Sequence, residues 1–243
     1  MGRVDLHNHI LFGVDDGAND VTESIALARE LVAAGYSDVA TTPHSKPPDM
    51  DPPDDLITRR RTALQAVFDQ TAIPLKLHPG RENHLTPQYI ASVENGESRP
   101  LGNGPYILLE LPFSTIVPGF RDILFKLMLK RVRPILAHPE RCAQFVDRPD
   151  AAREAFDAGA LFQIEVGSLA NLYGGSARKC AQQLLDESMV TVAATDTHHL
   201  KSTQAILGHG LKALDKAIGP TKLQLLTEEN PGRVLRGEQV LPL

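Results

Sequence analysis

Short apolar, β-branched runs alternate along this chain with stretches of helical periodicity, and the runs keep ending in histidine, aspartate or glutamate. Seven runs read as strands: Val4–His9, Asp38–Thr42, Leu75–His78, Tyr106–Leu111, Pro134–His138, Leu161–Val166 and Val190–Thr195. Strands that alternate with helices are parallel and joined by crossovers. Seven such units in 243 residues predict one α/β domain over residues 1–243, closed or nearly closed into a barrel. An open doubly wound sheet is the alternative.

The helical stretches carry their own punctuation. Asp20 and Glu23 have capping-box spacing, Ile25, Ala28, Leu31 and Val32 form a stripe, and Gly35 closes that helix. Thr86 precedes Pro87 as an N-cap before a first-turn proline. Ser176 is expected to cap the helix containing Leu184 and Leu185, and Phe120–Arg131 alternates apolar and basic residues with helical spacing. The proline-rich Ser45–Pro53 stretch reads as a loop near the site.

Composition narrows the function classes. A net charge of −5 and a pI near 6.0 provide no basic face for nucleic acid or anionic lipid. Two cysteines, Cys142 and Cys180, make no disulfide framework and fit a reducing compartment. The N-terminal residues lack a signal-peptide pattern. No apolar run approaches the roughly 18 residues of a membrane-spanning helix. A cytoplasmic enzyme without membrane insertion is expected.

Barrel active sites are assembled at the C-terminal ends of strands, and there the ligand-type residues cluster. His7 and His9 are spaced i, i+2, so on a strand both imidazoles face one side, as a metal requires. Two hydrogen-bonded histidines at a strand end is the plainer reading. Asp196 and His198 repeat the spacing on the last strand. Glu110 ends a strongly apolar run, where a carboxylate needs a metal or a cationic partner such as Arg81 or Arg141. His44 follows Pro43 as a ligand or a packing histidine. Glu82 follows a Gly-Arg turn as a ligand or a solvated acid. Asp15 and Asp16 sit in a glycine-rich turn, as turn formers or ligands.

Arg141, in His138-Pro139-Glu140-Arg141, is expected to enter the same mouth, where its guanidinium matches phosphate in two-point contact. A surface pair with Glu140 or Asp147 is the alternative. Cys142 and Arg148 stand at the Cys-x5-Arg spacing of cysteine-dependent phosphatases. The five residues between them include no glycine to curl around phosphate, and Asp147 would repel it, so this spacing is read as a decoy.

The order His-x-His, Asp-Asp-Gly, Pro-His, Gly-x-Glu, strand-end Glu, His-x-Glu-Arg, Asp-x-His and a late Asn230-Pro231 resembles the polymerase-and-histidinol-phosphatase (PHP) superfamily. More narrowly, it is similar to the bacterial PHP-type protein-tyrosine phosphatases of capsule and exopolysaccharide systems. The resemblance runs from Val4 to about Pro231. It implies a distorted seven-stranded (β/α)7 barrel holding three divalent metals, manganese, iron or zinc. It further implies His7, His9, Asp16, His44, Glu82, Glu110, His138, Asp196 and His198 as ligands, with Arg141, Asp196 and His198 catalytic. A metal-bridging hydroxide would attack phosphotyrosine directly. The implied partner is a phosphotyrosine protein, an autophosphorylating bacterial tyrosine kinase among the candidates, and a homo-oligomer is compatible with it. One departure stands out: relatives carry an arginine after Asp-x-His, where this chain has Lys201.

Rival readings are a histidinol-phosphatase-like enzyme acting on a small substrate and a non-catalytic metal-binding regulator. A nuclease-type PHP domain fits poorly with an acidic chain. An amidohydrolase would place a metal-bridging lysine on the fourth strand, where this chain has Glu110.

Overall fold

The computed structural model describes residues 2–243. In chain order it runs β1 (Arg3–Asp5), α1 (Val21–Ala33), β2 (Tyr36–Thr41), β3 (His44–Ser45), α2 (Asp54–Gln70), β4 (Lys76–Pro79), β5 (Glu82–His84), α3 (Pro87–Glu94), β6 (Tyr106–Glu110) and α4 (Phe120–Leu129). It continues with β7 (Arg133–Ala137), α5 (Ala143–Val146), α6 (Pro149–Asp157), β8 (Leu161–Glu165), α7 (Gly175–Asp186), β9 (Val190–Ala194), α8 (Leu200–Ala205), α9 (Leu211–Gln224) and α10 (Asn230–Arg236). No helix among the described residues is long and apolar enough to cross a membrane.

The alternation of strand and helix gives parallel pairing throughout the sheets. The seven-stranded barrel is not what forms, however. The described residues make nine strands in two sheets, of order β1-β2-β4 and β3-β5-β6-β7-β8-β9. The difference has a local cause. Two short strands that the sequence reading did not expect, β3 and β5, lie just beyond the expected runs Asp38–Thr42 and Leu75–His78. After β2 the chain meets Pro43, which has no N–H to donate to a ladder. After β4 it meets Gly80, where a Cβ would lie 3.2 Å from the Thr41 carbonyl and 3.0 Å from Leu101. Beyond these points β3 and β5 pair with each other and join the larger sheet, with His44 opposite Glu82.

Single contacts connect the two sheets. Asn8 and Thr197 form an isolated parallel bridge. Asp196 N donates to His7 O and His9 N to Thr197 O, each at 2.9 Å, while Thr42 N donates to Asn8 O at the same distance along the β1–β2 side of the smaller sheet. The buried Asp5 carboxylate reinforces this seam by accepting from Thr195 Oγ1 at 2.6 Å, Asn8 Nδ2 at 2.8 Å and Thr195 N at 3.0 Å.

Strand periodicity sorts the core. Ile107, Leu109, Leu136, Phe162 and Ile164 join the large cluster that also holds the helix residues Leu27, Leu64 and Leu124. The alternate residues Tyr106, Leu108, Ile135, Ala137 and Val192 form a smaller cluster with Val4, Leu6 and Val234. Successive residues point to opposite faces, so Glu110 lies on the face of Tyr106 and Leu108, above that smaller cluster.

The helix ends largely follow the sequence reading. Asp20 accepts from Thr22 N and Glu23 N, although Glu23 reaches back to Asn19 N rather than to Asp20. Thr86 caps α3 through Tyr89 N at 3.0 Å. Ser176 is not a cap: α7 starts at Gly175 behind Gly174, whose φ of 92° suits glycine, and Ser176 falls inside the first turn.

The seam makes a measurable claim. Asp5→Ala leaves several buried donors unsatisfied and is expected to cost at least about 2 kcal/mol in urea unfolding. Thr86→Ala removes one helix cap and should cost about 1 kcal/mol. Equal costs would show that Asp5 does not hold β1 to β9.

Candidate metal centre

All nine expected ligands are brought together. Their donor atoms fall into four overlapping groups, each within 4.8 Å: His9, Asp16, His44 and His198; His7, His9 and Glu82; His7, His138 and Asp196; and His44, Glu82 and Glu110. They come from the segment after β1, the α1-preceding turn, β3, β5, β6, and the segments after β7 and β9.

Glu82 is the hub. Its Oε1 lies 3.2 Å from His7 Nε2 and 3.1 Å from His138 Nε2, and its Oε2 lies 2.7 Å from His44 Nδ1 and 3.5 Å from His9 Nε2. Far from being solvated, it is 1% exposed. Burial pushes its carboxyl up, but His7, His138 and His44 outweigh that and hold it well below the usual carboxylate range. Asp196 is a second hub, with Oδ1 3.1 Å from His7 Nε2 and 3.3 Å from His9 Nε2. Burial raises Asp196 as well, and His7, His9 and His198 bring it far below its ordinary value.

The histidines are oriented from behind. His7 Nδ1 sits 2.9 Å from Gln163 Oε1, His9 Nδ1 2.8 Å from Asp15 Oδ2, and His198 Nδ1 3.0 Å from the Asp196 carbonyl. Opposite an oxygen acceptor, each Nδ1 is the donor, which leaves the Nε2 lone pair for the cluster. Burial works against protonating His9, yet Asp15 and Asp196 raise it well above its ordinary value. His44, opposed by burial, is raised to about 9 through Asp16 and Glu82. The carboxylates thus draw positive charge onto the cluster, the service a divalent cation performs when it displaces those protons.

The residues fit metal ions on structural grounds. His7 Nε2, His9 Nε2, His44 Nδ1, Glu82 Oε2 and Asp196 Oδ1 are buried without hydrogen-bond partners. Unpaired buried polar atoms are costly, and these point at one another across 2.7–3.5 Å. Imidazole with carboxylate suits manganese, iron or zinc.

Several open alternatives resolve. Asp15 is both turn former and support: it accepts from Gly17 N at 3.1 Å, His44 N at 3.1 Å and His9. Asp16 reaches the cluster, 3.3 Å from His44 Nε2 and 3.4 Å from His198 Nε2. Glu110 pairs with His84 at 2.9 Å, not with Arg81, which binds Asp51, nor with Arg141. The i, i+2 geometry at the last strand is not strand geometry: Asp196 has φ 50°, and this kink after β9 turns its carboxylate toward His7 and His9.

Arg141 ends a tight turn, Pro139–Arg141, that follows His138. Its Nη1 binds Glu165 and lies 3.4 Å from Asp196 Oδ2, rather than pairing with Glu140 or Asp147. Burial works against its charge, but Glu165 keeps it firmly protonated. Glu140 faces the other way, accepting from Ser168 Oγ at 2.6 Å and Glu165 N at 2.7 Å. Arg141 lines a cleft of about 360 Å³ together with Glu82, Glu110, His138, Asp196, His198, Lys46, Phe113 and Tyr173. Lys201 is exposed on α8 and is not among the lining residues; Lys46 and Ser202 are.

The decoy cysteine is inert. Cys142 is fully buried, with Sγ 3.7 Å from the His138 carbonyl and 3.8 Å from that of Leu111. Burial raises its pKa, so it stays a thiol.

Sequence reasoning missed Gln163 and Glu165. They are the alternate residues of Leu161-Phe162-Gln163-Ile164-Glu165, and both are fully buried. Period-two alternation was the available signal, masked by the apolar residues between them.

Whole-chain comparisons agree with this geometry. Tyrosine-protein phosphatase YwqE of Bacillus subtilis (strain 168) is 28% identical over 98% of this chain and 93% of its own length. Tyrosine-protein phosphatase CpsB of Streptococcus pneumoniae is 25% identical over 98% of this chain and 100% of its own. A crystal structure from work on YwqE and CpsB, described as unique metal-dependent tyrosine phosphatases, superposes with a TM-score of 0.91 at 28% identity, covering 99% of this chain and 97% of that one. Residues 3–236 match the family described as capsular polysaccharide synthesis, CpsB/CapC, and the chain belongs to that family.

Proposed function

We propose that this chain is a metal-dependent phosphatase that hydrolyses phosphotyrosine in proteins, within the control of capsular or exopolysaccharide synthesis. The observation that carries it is the convergence of nine histidine and carboxylate donors, seven of which line one cleft beside a firmly charged arginine. The named activities of YwqE and CpsB support the substrate class, and the family description supports the capsule setting. An autophosphorylating tyrosine kinase is the protein substrate this reading favours. The whole chain acts as one phosphoesterase unit.

Three divalent ions are proposed, held by His7, His9, Asp16, His44, Glu82, Glu110, His138, Asp196 and His198. When bound, they supply positive charge that acidifies water near neutral pH and shields the phosphoryl oxygens. The chain's own residues do the rest. Asp15 and Gln163 fix the rings of His9 and His7. Glu165 holds the Arg141 guanidinium at the cleft, where it neutralises charge that grows on the phosphoryl group toward the transition state. A phenolate leaving group, with a pKa near 10, departs with little need of a proton donor. The buried thiol of Cys142 takes no part, so the attacking oxygen comes from water.

Three outcomes test this. Purified protein should carry two to three divalent transition ions per chain by elemental analysis, and chelation should abolish hydrolysis of a phosphotyrosine peptide. Glu82→Gln should lose metal and rate together; full activity in metal-free protein overturns the proposal.

Arg141→Ala should keep its metal while kcat/KM falls on the order of 10²–10³-fold, the scale of one lost transition-state donor. Arg141→Lys should recover only part, since lysine lacks the two-pronged fork. Loss of metal in Arg141→Ala would place Arg141 in the ligand scaffold instead.

Cys142→Ala should retain activity within about tenfold. A drop beyond about a hundredfold with metal retained, the scale of a lost catalytic group, would argue for the thiol as nucleophile.

A further inference from the structure

Arg141 does not stand alone at the cleft. Its guanidinium carbon lies 4.7 Å from the Phe113 ring centroid and 4.8 Å from that of Tyr173, both cation–π distances. The three side chains form one wall, bordering both the ligand cleft and a neighbouring cleft of about 370 Å³ that includes Asp147 and Ser176.

Both rings are set by backbone. Phe113 follows β6, and its carbonyl accepts from Ala143 N at 2.7 Å. Four residues on, Val117 N donates to Gln144 Oε1 at 3.0 Å, tying the same loop to α5. Tyr173 rests on Gly167, where a Cβ would come within 3.1 Å of the ring carbon Cε2. A Cβ at 167 would press on Leu172 Cδ1, at 3.0 Å, as well as on that ring. Yet Phe113, anchored so firmly, is 42% exposed. A rigid ring kept in water beside a polar cleft forgoes the stabilisation that burial would give it. With Tyr173 and Arg141 it borders both clefts, so a molecule entering either one meets it.

We propose that Phe113 and Tyr173 are the specificity wall of this site, selecting phosphate esters of aromatic alcohols over those of alkyl alcohols. The proposal rests on the phosphatase reading above and names what sets its substrate class. A phosphoryl group engaged by Arg141 places its ester oxygen, and the group just beyond it, beside whatever flanks the guanidinium. Two aromatic rings flank it. A phenyl group gains an aromatic pair there, and a short alkyl chain gains little. Aromatic pairing of this kind corresponds to roughly a three- to tenfold preference per ring. Both rings contact Arg141, so the same side chains that hold the cation in line also read the ester group. Neither aromatic is a metal-ligand candidate, and neither carried a signal among the strand-end motifs.

Calorimetric titration of metal-loaded protein tests this without turnover. The probes are benzylphosphonate, whose methylene replaces the ester oxygen of a phenyl phosphate, and ethylphosphonate, which has the same methylene without the ring. Wild type should bind benzylphosphonate about tenfold or more tightly. Phe113→Leu keeps an apolar cover over Arg141 and loses the ring; it should cut that preference at least threefold, chiefly by weakening benzylphosphonate. Phe113→Trp should restore it. Gly167→Ala, whose Cβ presses on Leu172 and on the Tyr173 ring, should shift the preference in the same direction by a smaller amount. Equal weakening of both probes in Phe113→Leu, or an unchanged preference in both variants, overturns the specificity wall and leaves the phosphatase reading standing. Failure of metal-loaded wild type to bind either probe overturns the phosphatase reading and the wall with it.

Discussion

A carboxylate in the interior is stable only if positive charge or several hydrogen-bond donors meet it there, and Glu82, met by histidines, sets the condition for the whole site. It is 1% exposed and touches His7, His9, His44 and His138. Those four histidines come from three separate parts of the fold, the segment after β1, β3 and the segment after β7. The site can form only when both sheets are in place, because His7 and His9 extend from the smaller sheet and the others belong to the larger one. Metal binding and folding are therefore expected to reinforce each other, since each ion adds the charge that Glu82 and Asp196 require.

The fold delivers these groups through strand periodicity. Tyr106, Leu108 and Glu110 share one face of β6, so the two lower positions pack in the small cluster while the third opens into the cleft. In β8 the same alternation gives Leu161, Gln163 and Glu165: Leu161 packs against the small cluster, Gln163 supports His7, and Glu165 holds Arg141. The polar residues occupy the strand ends because an uncompensated carboxylate lower down would meet only aliphatic side chains.

Much of this was legible in the sequence, for identifiable reasons. Strand-end histidines and acids are rare enough in apolar runs that His7, His9, Glu110, His138 and Asp196 stood out. Parallel α/β topology followed from the alternation of runs. Sheet closure did not, because it depended on what Pro43 and Gly80 do to their strands. Proline's missing donor is visible in sequence, but the crowding of Gly80 by Thr41 and Leu101 is a tertiary fact. Asp15 and Asp16 show the same limit: adjacent and identical, one supports His9 from behind while the other faces His44 and His198. Phe113 and Tyr173 both contact Arg141 but are 60 residues apart in sequence by their numbering, and no local pattern pairs them.

Two of the proposed ligands need backbone that ordinary residues avoid. His138 has φ 33° and Asp196 φ 50°, both left-handed and neither glycine, a conformation that costs on the order of 1–3 kcal/mol each. Each is flanked by a fully buried acid that serves structure rather than the cluster. Beside Asp196, Asp5 binds Thr195 through backbone and hydroxyl and also fixes Asn8. Beyond His138, Glu140 binds Glu165 N and Ser168 Oγ. The pattern has a physical logic. A kinked ligand at a strand end would relax toward extended backbone unless the residues around it were locked to neighbouring strands, and a buried carboxylate with two or three short acceptor bonds is a strong lock. Asp5 ties the last strand to the first, and Glu140 ties the turn after β7 to the end of β8. The strain at His138 and Asp196 and the burial of these two acids are thus parts of one arrangement, in which hydrogen bonds behind the site hold both residues in positions the local chain would not adopt alone.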